Sequence, residues 1–221
     1  MGKSKELAEL GDVVTQSGGK VGIGTSSPSQ TLHVVNPSTS YVLAETTGTG
    51  TSAGVRLKGD ASADYTLFTT QGTNQFAVYD NAAGTTRMTI DASGRVTMPY
   101  QPSFYVRLLT NVTTRNAVVV FNEVRLNNGG GYNVSNGRYT APVSGVYLMT
   151  AGFLPNVDNA SYAYIQVNGT RYSERIYNQY ADQHSATSLH VALDAGDYVE
   201  FYTVGDGTEA FYCHFGGHLI G

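Results

Sequence analysis

The sequence has a single cysteine, no tryptophan and few charged side chains, and each shortage excludes a class of protein. One cysteine, Cys213, excludes an intrachain disulfide and a cysteine-based zinc site. Flanked by Tyr212 and Phe215, it is expected to be a small buried hydrophobic residue rather than a nucleophile. Charged residues make up 14% of the chain, against about 25% in ordinary globular domains. The net charge of −4 and the lack of a basic run argue against nucleic-acid binding.

Long apolar runs are also missing. None approaches the roughly 20 residues that a membrane-spanning helix needs, so no membrane insertion is expected. Residues 3–10 form the only convincing helical pattern, with Leu7 and Leu10 on one face. Because a helix of about two turns is unstable alone in water, one hypothesis is an attachment segment at residues 1–17 that binds other proteins through these leucines. A frayed terminus is the alternative.

Glycine, threonine, asparagine and tyrosine replace the missing charge, and they are typical of strands and turns. The fold class is therefore predicted to be all-β. One strand is predicted at Gln30–Val35. In residues 41–98, where the first strand is predicted at Tyr41–Ala44, a strand begins about every 10 residues, the spacing of a meander. The strands carry too few apolar residues to form a stable core within one chain. This shortage predicts an intertwined β shaft or collar built from several copies of the chain.

One segment of this region resembles a known family. Lys20–Val34, with the sequence KVGIGTSSPSQTLHV, is similar to a segment of bacteriophage tail-fibre and related virion proteins, where it lies in an interwoven trimeric β region. The resemblance implies a homotrimer located in the virion that contacts other virion proteins through its N-terminus. The segment often precedes a self-cleaving chaperone domain in that family, but the protease end of such a domain is not visible here.

Residues 103–221 are denser and more aromatic, and two prolines in Pro99–Pro102 predict a linker before them. Asn168-Gly169 is a strong signal for a two-residue hairpin turn between strands predicted at Ala160–Val167 and Thr170–Tyr177. About ten strands with connections of unequal length favour a sandwich or jelly roll. The predicted organisation is an attachment segment at 1–17, a shaft at 18–98, a linker at 99–102 and a head at 103–221.

Six motifs in this half follow one another in a specific order and spacing. They are Phe121–Val124, Tyr132–Val134 with Gly137–Pro142, Ser144–Tyr147, Ile165–Gly169, Leu193–Val199 and Phe215–Ile220. Together they resemble the complement globular-head (C1q) and tumour-necrosis-factor-like superfamily. The resemblance implies a ten-stranded jelly-roll homotrimer with aromatic residues near the threefold axis. The chain departs from the family in having no collagen stalk, and Leu148-Met149 stands where the family has a phenylalanine.

No catalytic residues are predicted, and the chain is not expected to be an enzyme. His214 and His218 on one strand would lie about 13 Å apart, too far to chelate one ion. A glycosidase pair such as Glu174 with Asp182 stays open, so a carbohydrate-active enzyme is an alternative function. No cofactor is expected, with calcium as an open option, because loop aspartates such as Asp158 and Asp182 supply oxygen ligands. Solvated turn aspartates are the other interpretation.

Five residues in a stretch rich in tyrosine, asparagine and arginine are predicted to contact a ligand. They are Asn159, Arg175, Tyr177, Asn178 and Tyr180. Such residues make adaptable recognition surfaces that suit sugars. Tyrosines on the strands themselves, such as Tyr162 and Tyr164, are interpreted as core or subunit-interface residues before ligand contacts.

The function predicted from these observations is a bacteriophage virion structural protein. It would be a trimeric fibre or spike whose C-terminal knob binds a receptor on the host surface. A glycan is the preferred receptor, and a protein is the other option. A capsid decoration protein or head fibre is the alternative within the same particle.

Overall fold

The structure, a computed structural model, describes residues 14–48, 51–60, 62–70, 72–112, 116–155, 161–180, 183–205, 208 and 212–221. These residues form strands, turns and loops without a helix, and therefore without a helix able to cross a membrane. The predicted N-terminal helix with Leu7 and Leu10 lies outside them. By its internal contacts the chain divides into two compact units, residues 1–85 with 90–94 and residues 86–89 with 95–221.

The first sheet has three short strands, β1 (Val14–Ser17), β2 (Lys20–Ile23) and β3 (Leu32–Val34). β1 and β2 form an antiparallel hairpin, and β3 lies parallel to β2. Strand β3 was predicted, and β1, which falls in the predicted attachment segment, was not. The Lys20–Val34 segment thus forms two parallel strands and the loop that joins them.

A second sheet contains five strands in chain order, β4 (Ser52–Lys58), β5 (Asp64–Thr70), β6 (Gln75–Asp80), β7 (Thr85–Ile90) and β8 (Val96–Thr97). These strands confirm the predicted meander. The strand predicted at Tyr41–Ala44 is wrong: Tyr41 is 86% exposed and no strand forms there. A strand needs a hydrogen-bonded neighbour, and among the described residues this segment has none within the chain.

The second sheet has almost no core of its own. Val55, Leu67 and Val78 lie side by side in register across β4, β5 and β6, and Val55 is 51% exposed. Among the described residues from 14 to 94, Ala77 is the only buried member of the hydrophobic core. The sheet therefore presents an apolar face that a single chain leaves uncovered.

The head contains twelve strand segments in its described residues, where the sequence predicted about ten. They are β9 (Ser103–Arg107), β10 (Ala117–Val118), β11 (Glu123–Asn128), β12 (Tyr132–Asn133), β13 (Arg138–Thr140), β14 (Gly145–Phe153), β15 (Ser161–Val167), β16 (Thr170–Arg171), β17 (Ile176–Asn178), β18 (Ser185–Leu193), β19 (Tyr198–Val204) and β20 (His214–Leu219). The strand predicted at 170–177 is divided into β16 and β17, because Tyr172 and Ser173 both donate their backbone N–H to the Ile165 carbonyl and interrupt the regular ladder.

These strands form two antiparallel sheets. The seven-stranded sheet has the order β12-β13-β19-β15-β16, with β10 paired to β19 and β17 to β15. The five-stranded head sheet has the order β11-β9-β20-β14-β18. Neighbours in space are far apart in sequence, which distinguishes a jelly roll from an up-and-down barrel. The predicted all-β fold with a jelly-roll head is therefore confirmed.

The core between the two sheets is aromatic. Phe104 stacks on Tyr139 with ring centroids 4.2 Å apart and meets the edge of Phe215 at 4.9 Å. Phe121 and Phe201 extend this cluster and are fully buried. Aromatic rings bury a large apolar area each, so this cluster supplies much of the driving force for folding the head.

Strand β13 and strand β14 meet at a corner held by the turn at Asp194–Asp197. Ala141 donates its N–H to the Asp197 carbonyl at 2.8 Å and accepts from Gly196 N–H at 2.9 Å. Ser144 Oγ accepts from Ala195 N–H at 3.0 Å. The corner is thus a structural feature that joins the ends of both sheets. The predicted domain boundaries at 17, 98 and 102 stay predictions.

Candidate functional site

Four tyrosines lie together on the side of the seven-stranded sheet that faces away from the core. On β15, Tyr162 and Tyr164 alternate with buried residues and are themselves half-buried. The β15–β19 register places Tyr202 opposite Tyr164, with ring centroids 5.2 Å apart, and Tyr162 stacks beside Tyr164 at 6.2 Å. Tyr177 on β17 lies opposite Tyr162, so it points to the same side of the sheet. These four residues are called the tyrosine platform.

Two arginines flank the platform on the edge of the sheet. The guanidinium of Arg175 lies over the Tyr162 ring, 4.3 Å from its centroid, a cation–π geometry. Arg171 on β16 lies opposite Gln166 of β15, one row further along the same side. In the described part of the chain no carboxylate forms an ion pair with either arginine. Both side chains are exposed and available to a ligand.

The electrostatics of the platform centre follow from this arrangement. Burial raises the pKa of Tyr164 above its ordinary value, and the neighbouring Tyr202 and Tyr162 act in the same direction. Arg171 and Arg175 oppose this rise. The Tyr164 hydroxyl is therefore neutral at physiological pH, and both arginines act electrostatically on the platform centre.

The row beside the platform is a partly buried polar network. Arg138 Nε donates to Glu200 Oε1 at 2.7 Å, and its guanidinium lies 4.1 Å from the centroid of the Tyr198 ring. Glu200 and Gln166 are both buried and lie opposite each other in the β15–β19 register. Because Glu200 is neutralised by Arg138, it does not cancel the charge of the two flanking arginines. The sequence did not predict this network, since its members come from three separated strands.

Local sequence signals explain why these side chains share one face. Asn168 and Gly169 adopt positive φ values of 51° and 76°, so the predicted two-residue turn is confirmed and fixes the β15–β16 register. Ser173 Oγ accepts from Ile165 N–H at 2.9 Å and donates to the Glu174 carbonyl at 2.8 Å. Ile176 is buried and anchors β17. Tyr177, its neighbour in the strand, is thereby directed to the outside.

The structure places the five predicted ligand residues in different environments. Tyr177 and Arg175 belong to the platform and its edge. Tyr180 is 61% exposed in the loop that follows β17. Asn178 is fully buried: its Nδ2 donates to the Phe153 carbonyl at 2.9 Å, and its Oδ1 accepts from Ser185 Oγ. This position gives Asn178 a structural role, while Asn159 lies outside the described residues.

The predicted metal ligands Asp158 and Asp182 also lie outside the described residues, so a calcium site there stays a prediction. Within the described residues no group of three or more histidine, cysteine, aspartate or glutamate side chains is arranged to hold a metal ion. The described Asp197 is used in a turn, where Oδ1 accepts from Asn168 Nδ2 and Oδ2 from Asp194 N–H, both at 2.8 Å. These hydrogen bonds lower the pKa of Asp197.

Cys213 is fully buried, and its Sγ accepts a hydrogen bond from Leu154 N–H at 3.2 Å. The prediction of a small buried hydrophobic residue is confirmed. A sulfur atom in this position is not accessible to a substrate.

Two facing antiparallel sheets with these strand orders define a jelly roll of the C1q and tumour-necrosis-factor-like class. The family model described as "C1q domain" matches residues 103–220, which is more than half of the chain. The chain therefore belongs to the C1q domain family. Domains of this class form homotrimers and bind receptors or other ligands, and proteins that contain them are generally not enzymes.

Two curated relatives carry the name complement C1q tumor necrosis factor-related protein 3, one from Homo sapiens and one from Mus musculus. Each is 30% identical to this chain over 94 residues, which are 42% of this chain. The match spans 38% of the length of either relative. Both relatives are mammalian, and the bacteriophage context predicted from residues 20–34 stays a prediction.

Solved structures with a similar head include the globular domain of zebrafish complement 1qA, at 18% identity and a TM-score of 0.48. The similarity covers 55% of this chain and 98% of that domain. Murine APRIL at pH 5.0 is 11% identical with a TM-score of 0.45, covering 54% of this chain and 99% of that one.

Proposed function

We propose that the chain is a structural protein of a bacteriophage virion, a homotrimeric fibre or spike whose head binds a glycan on the host surface. The observation that carries the binding role is the tyrosine platform, flanked by Arg171 and Arg175 on an open face of the head. The fibre context is supported by the segment Lys20–Val34, which is similar to segments of phage tail-fibre proteins.

The platform has the properties of a sugar-binding surface. A tyrosine ring offers a flat apolar face to the C–H groups of a sugar, and its hydroxyl offers a hydrogen bond at low entropic cost. Stacking among Tyr162, Tyr164 and Tyr202 fixes their ring positions before any ligand arrives. Preorganisation of this kind raises affinity because little side-chain freedom is lost on binding.

The five-stranded head sheet supports the homotrimer. On its side away from the core, Tyr105, Leu126 and Val146 are between 38% and 46% exposed. Gly216 lies opposite Tyr105 and has no side chain there; a Cβ would meet Tyr105 Cδ2 at 3.1 Å, so the glycine leaves room for the ring. A groove of about 470 Å³ is lined in part by Tyr105, Leu126 and Gly216. The occupant we propose for this face is a second copy of the chain, in line with the trimers of the family.

The uncovered apolar face of β4, β5 and β6 supports the same assembly. A sheet with one buried core residue among its described hydrophobic side chains does not stabilise itself in water. Trimerisation through the heads would bring three such sheets into one trimer, where their effective concentration is high. Mutual burial of the Val55–Leu67–Val78 row would then supply the core that one chain lacks.

Binding of the full-length protein to host cells, and to glycans released from them, tests the proposal. We expect Tyr164→Ala and Tyr202→Ala to reduce the affinity by about tenfold or more. An aromatic contact at the centre of an interface contributes about 1.4 kcal/mol or more of binding free energy. Tyr41→Ala, an exposed tyrosine outside the head, is the matched control. Tyr164→Phe preserves the ring and separates lost contact from misfolding. Unchanged binding by both alanine variants, with the thermal transition intact, would overturn the platform as the receptor site.

The location in the particle is tested separately. Antibody against the head is expected to label a tail or fibre of the intact phage. Labelling of the capsid surface would support the decoration-protein alternative, and absence of the protein from purified particles would contradict a virion role.

A further inference from the structure

We infer that the glycan held by the tyrosine platform is an acidic saccharide, whose anionic group is bound by Arg171 and Arg175 while its ring stacks on the tyrosines. This inference rests on the proposed glycan-binding function and specifies the ligand class. Its basis is that some arginines of the head form ion pairs with carboxylates, whereas Arg171 and Arg175 form none with the described residues.

Three arginines of the head are satisfied by carboxylates. Arg107 and Arg125 both pair with Glu123, at 2.8 and 2.6 Å, and Arg138 pairs with Glu200 at 2.7 Å. Arg171 and Arg175 differ from them, because no carboxylate in the described part of the chain lies within ion-pair distance of either. Within the described part of the head they are also the arginines that border the tyrosine platform.

The position of these two charges fits a ligand that lies across the platform. Arg175 is held over Tyr162 at 4.3 Å, and Arg171 lies on β16 beside the row that contains Tyr164. A sugar ring stacked on Tyr164 and Tyr202 would therefore extend its substituents towards the cationic edge. On the opposite side of the platform, Val118 lies opposite Tyr202 and offers no charge. Among the described residues, the unpaired positive charge beside the platform therefore lies on the edge of Arg171 and Arg175, which orients an anionic ligand.

A guanidinium group matches a planar carboxylate or a phosphate through two parallel N–H···O bonds. Both anions occur on acidic surface saccharides, and their shared chemistry is an oxygen anion attached to a sugar ring. A neutral saccharide would use the stacking surface alone and leave the edge charges solvated. The platform should therefore discriminate between a charged saccharide and its neutral derivative.

Calorimetric titration of the full-length protein with tetragalacturonate and with its methyl ester tests the inference, because esterification removes the negative charge of each carboxylate and adds only a methyl group. We expect the acidic form to bind about tenfold or more tightly than the ester, as one lost charge-assisted contact predicts. This preference should weaken as ionic strength rises. A phosphorylated mannose oligomer and its unphosphorylated form serve as the second arm and distinguish phosphate from carboxylate recognition.

The variants Arg171→Gln and Arg175→Gln are expected to remove the preference for the acidic form while leaving the weaker binding of the neutral form in place. Arg125→Gln, an exposed arginine on β11 of the other sheet, is the matched control and should retain the preference. Equal binding of charged and neutral forms, or a preference that survives both substitutions, would overturn the inference while leaving glycan binding intact. Binding of none of these saccharides would overturn it too; host-cell binding that still depends on Tyr164 would then preserve the proposed function.

Discussion

The rings of His184 and His214 lie stacked against each other, with centroids 6.1 Å apart and planes inclined by 25°. They cover Gly152, where a Cβ would approach His214 Nδ1 to 2.6 Å and His184 Nε2 to 2.8 Å. The Nε2–H of His184 donates to the Tyr212 carbonyl at 3.0 Å. Two titratable rings are therefore held together on the sheet face that we propose for trimer contacts.

Because of the His184–His214 pair, we expect the head to lose stability in mild acid. Burial lowers the pKa of His214, and the adjacent His184 lowers it further. The folded head therefore favours neutral His214, whereas the unfolded chain takes up a proton near the ordinary value of about 6.5. The free energy of unfolding is then greatest above that pH and falls as the pH drops below it. Thermal unfolding between pH 7.5 and 5.0 measures the effect.

His214→Gln is the matched variant for this pH dependence. Among the described residues, the other charged and titratable groups at this site are Arg107, which is opposite His214 in the β9–β20 register and paired with Glu123, and Tyr105, whose ring centroid is 5.8 Å away. Glutamine cannot take up a proton in this pH range. The variant should therefore show a flatter profile in this window, and a profile as steep as the parent's would contradict the assignment.

Two buried tyrosines of the head are expected to differ in how much stability is lost when their hydroxyl groups are removed. Tyr132 accepts from Phe121 N–H at 2.9 Å and donates to the Phe121 carbonyl at 3.1 Å, while the hydroxyl of Tyr139 is buried without a partner among the described residues. Tyr132→Phe should lower the free energy of unfolding by about 1–3 kcal/mol, and Tyr139→Phe should change it by less than about 0.5 kcal/mol or raise it. Urea denaturation of the pair measures both. Equal losses would contradict this difference in hydrogen bonding.

Replacement of Asn178 should lower the stability of the head rather than weaken ligand binding alone. Asn178→Ala removes the hydrogen bonds to Phe153 and Ser185 and leaves a buried carbonyl unsatisfied, which should destabilise the head by about 1–3 kcal/mol. Gln179→Ala, the exposed neighbour, should change stability by less than about 0.5 kcal/mol. Differential scanning calorimetry compares the two. A stable Asn178→Ala protein with impaired glycan binding would instead support the original sequence prediction.

The tyrosine platform shows what the sequence does and does not predict. Alternation along residues 161–167 identifies Tyr162 and Tyr164 as one face of a strand, and Asn168-Gly169 identifies the turn that follows. Tyr202 is nearly forty residues away, and its position opposite Tyr164 depends on the β15–β19 register. Long-range register is set by the packing of the whole sandwich, which local patterns do not encode.

The histidines illustrate the same limit. Sequence spacing compares His214 with His218, which share strand β20. The neighbour of His214 in space is His184, because β14 pairs with both β18 and β20 and brings their ends together. Asn178 was likewise assigned to a ligand site from its neighbours in sequence, although burial gives its amide a structural role.

The apolar row of β4, β5 and β6 gives the sharpest test of assembly. Val55 is 51% exposed in one chain, so Val55→Ser should have little effect on a monomer. If copies of the chain cover this face, the variant should lose about 1 kcal/mol per chain and become sensitive to proteolysis between residues 14 and 94. Lys58→Ser, on the opposite face of the same strand, is the control. Sedimentation and limited proteolysis of the full-length protein measure both effects. A monomer at micromolar concentration, or a Val55→Ser variant as resistant as the control, would contradict an intertwined shaft, because a covered valine cannot be replaced by serine without loss.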